Sequence, residues 1–496
     1  MRVQRLCALA MVVAGCGGKD EAPSASPTPS PLAVAAPDRD EPPPPPPTPA
    51  FPDGTRSLVL KRTIPVRLAP GVDAKRIGTI GIDTRVGWTR TADATGCKKP
   101  WVEIVPRGWV CGEYLEPSTK APMGREVPML DRGELVPGIY GKVTEPASLT
   151  YVLERPGDKK PRKAARTAKA DRKARATERP VTTPRDVTDK LTGPRMREGK
   201  PLVGSVNVRH YGEIEVDGKT YWKISRKDNE YVLRKAIRQH VPSEYSGARL
   251  GDDTGWSVPI AFVWPRAGRS TSSLRTPTGG AVRKLAARTP VPILETATDR
   301  TGKPTAYRIG EGEWLRAVDV RVYEPAPAPP YLEPGERWID VDLDNQILVA
   351  FEGDVAVYAT MVSSGGPNSP TETGVYRMWL KESETDMRGL NGEDPYSVAT
   401  VPWTQFFYPE KGLALHTAYW HDGFGVRRSA GCVNLAPKDA RWLYFWSEPQ
   451  VPPGWTMTAG VTEAPGSIVR VRSKADPNPE HKGYAKDVFE LRKRQR

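Results

Sequence analysis

Proline recurs too often along this chain for long helices. With 52 prolines and 45 glycines in 496 residues, few windows lack a residue that breaks the helical hydrogen-bond ladder or favours a turn. Short apolar runs lie between these breakers. They predict a mainly β, multidomain protein of short strands and many turns and linkers. A chain of this length holds about two to four domains, so burying a sizeable core is not the limitation. No run reaches the ~18–20 apolar residues of a membrane span.

The N-terminus reads as an export signal. Met1-Arg-Val-Gln-Arg5 is a positive n-region and Leu6–Val13 a short apolar one. Val13-Ala-Gly-Cys16 resembles a bacterial lipobox, so residues 1–16 are expected to be a lipoprotein signal peptide ending at a lipidated Cys16. The expected location is the cell envelope, lipid-anchored on the periplasmic face, and at the outer membrane where the cell has one. Residues 17–55 are a Pro-rich tether, with Pro42–Pro47 uninterrupted. Such a segment stays extended and cannot bury enough apolar area to fold.

Residues 56–118 read as a small β-barrel, from runs such as Arg76–Ile80 and Trp101–Ile104 broken by Gly, Pro and Asp. Their order is similar to bacterial SH3-like domains, which in many envelope enzymes bind cell-wall peptide; a purely structural barrel is the other reading. Residues 119–270 form a β-containing region with a basic insertion at 159–180. Lys159–Arg179 holds ten Lys/Arg against two acidic residues, a net +8 of the chain's +14. A solvated, disordered insertion is the plainer reading. An exported chain does not routinely meet nucleic acid, so the alternative partner is an anionic envelope polymer. Residues 271–330 suggest a second SH3-like unit and a Pro-rich linker. Ile339, Val341 and Leu343 alternate with Asp340, Asp342 and Asp344, the pattern of a half-buried strand. Pro437–Trp446 is the best helix, with proline at its start and Ala440, Leu443 and Tyr444 on one face. The tail 474–496 is basic and polar, and is expected to be mobile.

Export reorganises the five cysteines. Cys7 leaves with the signal, Cys16 carries lipid, and Cys97 and Cys111 are placed to pair in an oxidising compartment. Cys432 is then the odd thiol. Five histidines, without Cys-x-x-Cys or His-Glu-x-x-His spacing, give no metal site, and no cofactor is expected. Cys432 follows His416 by sixteen residues, in a segment rich in Gly, Ser, Arg and aromatics. A thiol becomes a useful nucleophile when a base or positive charge makes it a thiolate. The pair alone is equally a buried cysteine beside a hydrogen-bonded histidine; its surroundings favour catalysis.

The segment resembles the signature of the YkuD-type L,D-transpeptidases, cysteine enzymes that remodel bacterial peptidoglycan. Their pattern is His, a variable stretch, then Ser/Thr-His-Gly-Cys-hydrophobic-Asn/Arg; here it is His416, then Ser429-Ala430-Gly431-Cys432-Val433-Asn434. Trp338–Phe351 is similar to that domain's first hairpin. Val362–Gly365 with Ser369-Pro-Thr-Glu-Thr-Gly374 resembles a further block, Asp439–Tyr444 the helix after the nucleophile, and Gly466–Val471 the closing strand. The resemblance covers about 336–473 and implies a β-rich catalytic domain there, preceded by one or two small SH3-like barrels.

The resemblance implies roles for particular residues. Cys432 attacks a peptidoglycan stem tetrapeptide, His416 serves as base and then acid, and the backbone carbonyl of Thr417 orients the His416 ring. Ser429 and Gly431 shape the turn, Asn434 fixes the loop, and Arg428 meets a substrate carboxylate or is simply solvated. The enzyme is expected to be a monomer that forms a thioester and passes it to an amine, with carboxypeptidase activity where water accepts. One departure stands out: Ala430 occupies the place of the family's second histidine. His421 is the candidate substitute. Without one, the chain is a catalytically impaired, lipid-anchored peptidoglycan-binding or scaffold protein.

Overall fold

The computed structural model describes residues 51–145, 148–156, 193–389 and 395–496. The signal segment with Cys16, the tether up to residue 50 and the basic insertion lie outside the described residues. Strand far outweighs helix, 46% against 8%, as the spacing of prolines and glycines requires. Among the described residues no helix is long and apolar enough to cross a membrane.

Three groups of short strands precede residue 336. The first runs from Ser57–Leu60 to Leu115–Ser118, and Cys97 and Cys111 are joined by a disulfide within it. Phe51, the first described residue, packs edge-on against Trp88 at 5.2 Å between centroids. The second spans Tyr140–Val143 to Ile237–Gln239. The third begins at Ile260–Val263, whose four residues are all buried, and ends at Val320–Tyr323. Ile260–Val263 pairs with both Pro290–Pro292 and Val320–Tyr323. It therefore belongs with the third group, and the sequence boundary at 271 falls eleven residues late. An isolated apolar run does not reveal which later strands it will pair with.

The region from residue 336 onward contains β1 (Arg337–Asp342), β2 (Ile347–Glu352), β3 (Val355–Met361), β4 (Gly374–Arg377), β5 (Leu380–Gly389) and β6 (Tyr396–Tyr408). There follow β7 (Leu413–Thr417), β8 (Val433–Leu435), α1 (Pro437–Trp446), β9 (Trp455–Ala459), β10 (Ile468–Arg472) and α2 (Tyr484–Gln495). One sheet has the order Ala248–Arg249, β3, β2, β1, β10, β4, with β1 and β10 parallel. In the other, β9, β5, β6, β7 and β8 are successive neighbours. Helix α1 begins at the expected proline and buries Ala440, Leu443 and Tyr444. It packs against β6 and β7.

The accessory strands are not beads on a string. Arg76–Ile80 adds antiparallel to β9, with Gly78 opposite Thr458. Residue 78 must be glycine here, since a Cβ would lie 2.0 Å from the Trp455 ring. Ser205–Arg209 adds parallel to the start of β6. The first group's apolar core, including Leu58, Val66 and Ile104, is one cluster with Val341, Leu415 and Trp455.

Two expectations fail on burial. β1 is not half-buried: Asp340 is 0% exposed and Asp342 6%. The face carrying Asp340 is covered by Tyr323 of the third group, whose hydroxyl donates to Asp340 at 2.6 Å, and by Arg470 and Arg472 at 2.7 and 2.8 Å. The tail is not a free end either. Its helix α2 buries Ala485 and Val488, packs on β4, and places Arg492 on Glu336 at 2.6 Å.

Candidate active site

The apolar run Leu413-Ala-Leu makes β7 a strand buried at every position. β8 lies parallel beside it, with His416 directly opposite Asn434 and Thr417 opposite Leu435. Cross-strand partners project from the same face of a sheet, so the histidine and the asparagine share one side. Cys432 stands one residue before β8, where backbone hydrogen bonding from Ala414 reaches its thiol. Its Sγ lies 3.8 Å from the Gly412 carbonyl. Among the described residues Cys432 is the free cysteine.

His416 is 2% exposed, and its Nδ1 donates to the Thr417 carbonyl at 2.9 Å. That bond fixes the tautomer and leaves Nε2 as the proton acceptor. Burial pushes the ring's pKa down to about 4, against a smaller raising effect of the Thr417 carbonyl. It is therefore a neutral base at pH 7. Cys432 keeps part of its surface open, yet the packing around the sulfur pushes the thiol up to about 11. The resting pair is thus a thiol with a neutral imidazole, not a preformed ion pair. A thiol in that state can act as a nucleophile only if proton transfer accompanies the attack.

The turn before Cys432 is tied by hydrogen bonds at Ser429 and Gly431. The Ser429 hydroxyl accepts from the Gly431 N–H at 3.2 Å and donates to the Cys432 carbonyl. Gly431 has φ +114°, a conformation that favours glycine. A strap from Ser363 to Gly366 runs alongside. Ser363 exchanges both backbone bonds with Asn434, at 3.0 and 2.9 Å, and the Arg428 and Ser429 N–H groups both donate to the Ser364 carbonyl. Thr371, within the Ser369–Gly374 block but not singled out from sequence, joins strap to turn. Its hydroxyl accepts from the Gly365 N–H at 2.8 Å and donates to the Gly431 carbonyl at 2.7 Å. Thr371→Val is expected to strand both buried groups and to cost about 1–3 kcal/mol. Urea unfolding checks this as a lower midpoint at unchanged slope.

His421 is brought into the site. Its Nδ1 accepts from the Gly423 N–H at 3.2 Å, so the neutral ring carries its proton on Nε2, 3.1 Å from the Asn434 amide. With the amide oxygen turned toward Nε2, the ring N–H donates to Asn434 Oδ1, which otherwise has no partner. Burial, then the Arg428 charge and His416, push the His421 ring down to about 3. Arg428 is exposed, and its guanidinium lies over Gly423. Ala430, where the resemblance expects a second histidine, is exposed. Tyr396, at the start of β6, lies close enough to the Cys432 thiol for the two to repel when ionised; nothing in the sequence pointed to it. Cys97 and Cys111 lie in the first strand group, outside the site. Among the described residues no group of three or more His, Cys, Asp or Glu is placed to hold a metal ion.

Residues 336–471 match the YkuD family model, the L,D-transpeptidase catalytic domain. This region is an L,D-transpeptidase catalytic domain. The matched range contains His416, Cys432 and the strap bonded to Asn434 and the turn. Among solved structures, the domain is similar to a cysteine-to-serine mutant of the Enterococcus faecium L,D-transpeptidase. Identity is 28% over 28% of this chain and 50% of that one, with a TM-score of 0.22. The isolated E. faecium catalytic domain gives 27% identity over 28% of this chain and 98% of that one, at a TM-score of 0.22. An L,D-transpeptidase from Mycobacterium smegmatis gives 17% identity over 48% of this chain and 89% of that one, at 0.23. The chain spans 50% of the length of the first of these. No curated protein matches it.

Proposed function

We propose that the chain is an active peptidoglycan L,D-transpeptidase that forms a thioester on Cys432. The observation that supports this best is His416: a buried neutral imidazole with Nδ1 committed to the Thr417 carbonyl, on the strand beside the nucleophile. Sγ attacks the carbonyl between the L-centre of the stem's diamino acid and the terminal D-residue, while Nε2 takes the thiol proton. The oxyanion is met by the Cys432 N–H. The C–N bond then breaks, His416 returns its proton to the leaving amine, and the thioester remains. An amine from a neighbouring stem, or water, attacks the thioester and restores the thiol.

The exposed position of Ala430 favours this over a catalytically impaired binding protein. The turn is held by Ser429 and Thr371, so residue 430 is not needed to place the sulfur. Arg428 is proposed to meet a substrate carboxylate, and Ser429, Gly431 and Asn434 to keep the turn in shape. Lipid anchoring through Cys16 would place the monomeric chain at the envelope, with the basic insertion 159–180 toward an anionic polymer. In the first strand group, which we read as SH3-like, the continuous sheet with β9 supports a role in holding the domain.

Incubation of the full chain with disaccharide-tetrapeptides tests the reading. Mass spectrometry is expected to show loss of the terminal D-residue, with crosslinked dimer or tripeptide as product. Absence of any product, together with absence of a carbapenem adduct on Cys432, overturns it.

A further inference from the structure

The loop that leaves β7 toward the nucleophile turn is held from outside the catalytic sheets. Asp422, beside His421, receives two parallel N–H bonds from Arg288, at 2.7 and 2.9 Å, and a third bond from the Ser243 hydroxyl. Such a two-pronged pair fixes direction as well as distance. Arg288 is anchored in the third strand group by its own N–H, bonded to the Val263 carbonyl at 2.6 Å. Three residues further along the loop, the Gly425 carbonyl accepts from Arg321 of the same group. The Arg321 guanidinium stacks 3.9 Å from the centre of Trp264, whose ring lies against Gly425. His421 immediately precedes the first grip, and between the two sits Gly423, whose carbonyl accepts from the Ser363 hydroxyl at 2.9 Å.

This loop has no strand or helix of its own from Ala418 to Arg428, so its contacts decide where the His421 ring points. The ring is aimed at the Asn434 side chain, which shares a face with His416. With alanine at position 430, this loop is what brings a second imidazole to the site.

We propose that residues 260–323 are a positioning module for the active site, in which Arg288 and Arg321 fix the loop so that His421 orients the Asn434 side chain beside His416. The proposal rests on the reading of Cys432 and His416 as nucleophile and base. Arg288, Arg321 and His421 are positioning residues: both nitrogens of the His421 ring are engaged by protein groups.

The test is a charge swap in the full chain with two readouts. Arg288→Glu and Asp422→Arg are each expected to slow thioester formation on Cys432 about tenfold, seen in kcat rather than KM, because the geometry of attack is disturbed. Each is also expected to speed hydrogen exchange at the Gly425 and Arg428 amides about tenfold, since these are bonded to the Val362 and Ser364 carbonyls in the held loop. The Arg288→Glu/Asp422→Arg double variant restores both readouts to within about threefold of wild type. His421→Ala slows acylation about as much as Arg288→Glu, and the two together lose little more than either alone. Single variants with wild-type exchange and acylation, or a double variant without recovery, overturn the proposal. A wild-type chain that never acylates, while exchange still follows the swap, overturns the catalytic reading and leaves the clamp standing.

Discussion

Cys432→Ala is expected to abolish thioester formation, and His416→Ala to slow it by about 10⁴-fold or more, because nucleophile and base act as a unit. The two losses are not additive: the double variant is no slower than Cys432→Ala. Stopped-flow acylation by a carbapenem, with mass spectrometry of the adduct, measures both. The pH profile is the sharper check. Acylation requires the imidazole neutral, and its pKa is pushed down to about 4. The rate therefore falls as pH drops toward 4, where His416 gains a proton. Above that the reactive pair stays thiol plus imidazole until the thiol ionises near 11, so the rate is flat across neutral pH. An inflection at the ordinary histidine value, near 6.5, would instead mean that His416 is far better hydrated than its 2% exposure shows. A His416→Ala variant acylating within tenfold of wild type would remove it as the base.

Asp340→Ala should be the most destabilising substitution in the domain outside the apolar core. Asp340 is fully buried and accepts from Tyr323, Arg470 and Arg472. Arg470 is itself only 5% exposed in that pair. Removing the carboxylate leaves a buried guanidinium without its counter-charge, which costs about 3–5 kcal/mol. Chemical unfolding followed by tryptophan fluorescence measures the loss, and Trp338 is a suitable reporter because Arg470 lies 5.0 Å from its ring centre. Asp340→Asn keeps the shape and removes the charge. It is expected to lose most of the same stability, whereas Asp344→Ala, outside the buried set, should lose little. Equal midpoints for Asp340→Ala and wild type would show that the cluster does not need its anion.

The two cases show where the sequence was readable. The apolar run into His416, the Ser-Ala-Gly-Cys turn and the helix from Pro437 are local patterns, each carried by a few adjacent residues, and each forms where expected. The sequence also picked out the Ser369–Gly374 block, though not that Thr371 is the hydroxyl joining strap to turn. Asp340 was misread for a physical reason. Alternation of apolar and acidic residues says that one face differs from the other, not that the polar face is wet. Tyr323 and two arginines from β10 close over that face. The boundary at 271 failed likewise, since Ile260–Val263 acquires its module only by pairing with strands about 30 and 60 residues later.

The chain by itself determined the residues of the candidate site: a cysteine sixteen residues after a histidine, Thr417 next to that histidine, and breakers that confine the rest to short strands. Tertiary structure decided what surrounds that chemistry. It made His416 neutral by burying it, gave His421 an amide partner, and set Arg288 on Asp422 across 134 residues of sequence. Backbone preferences and turn chemistry act between neighbours and leave a mark in sequence. Burial and charge pairing depend on what arrives from elsewhere, and that is fixed only when the sheets close.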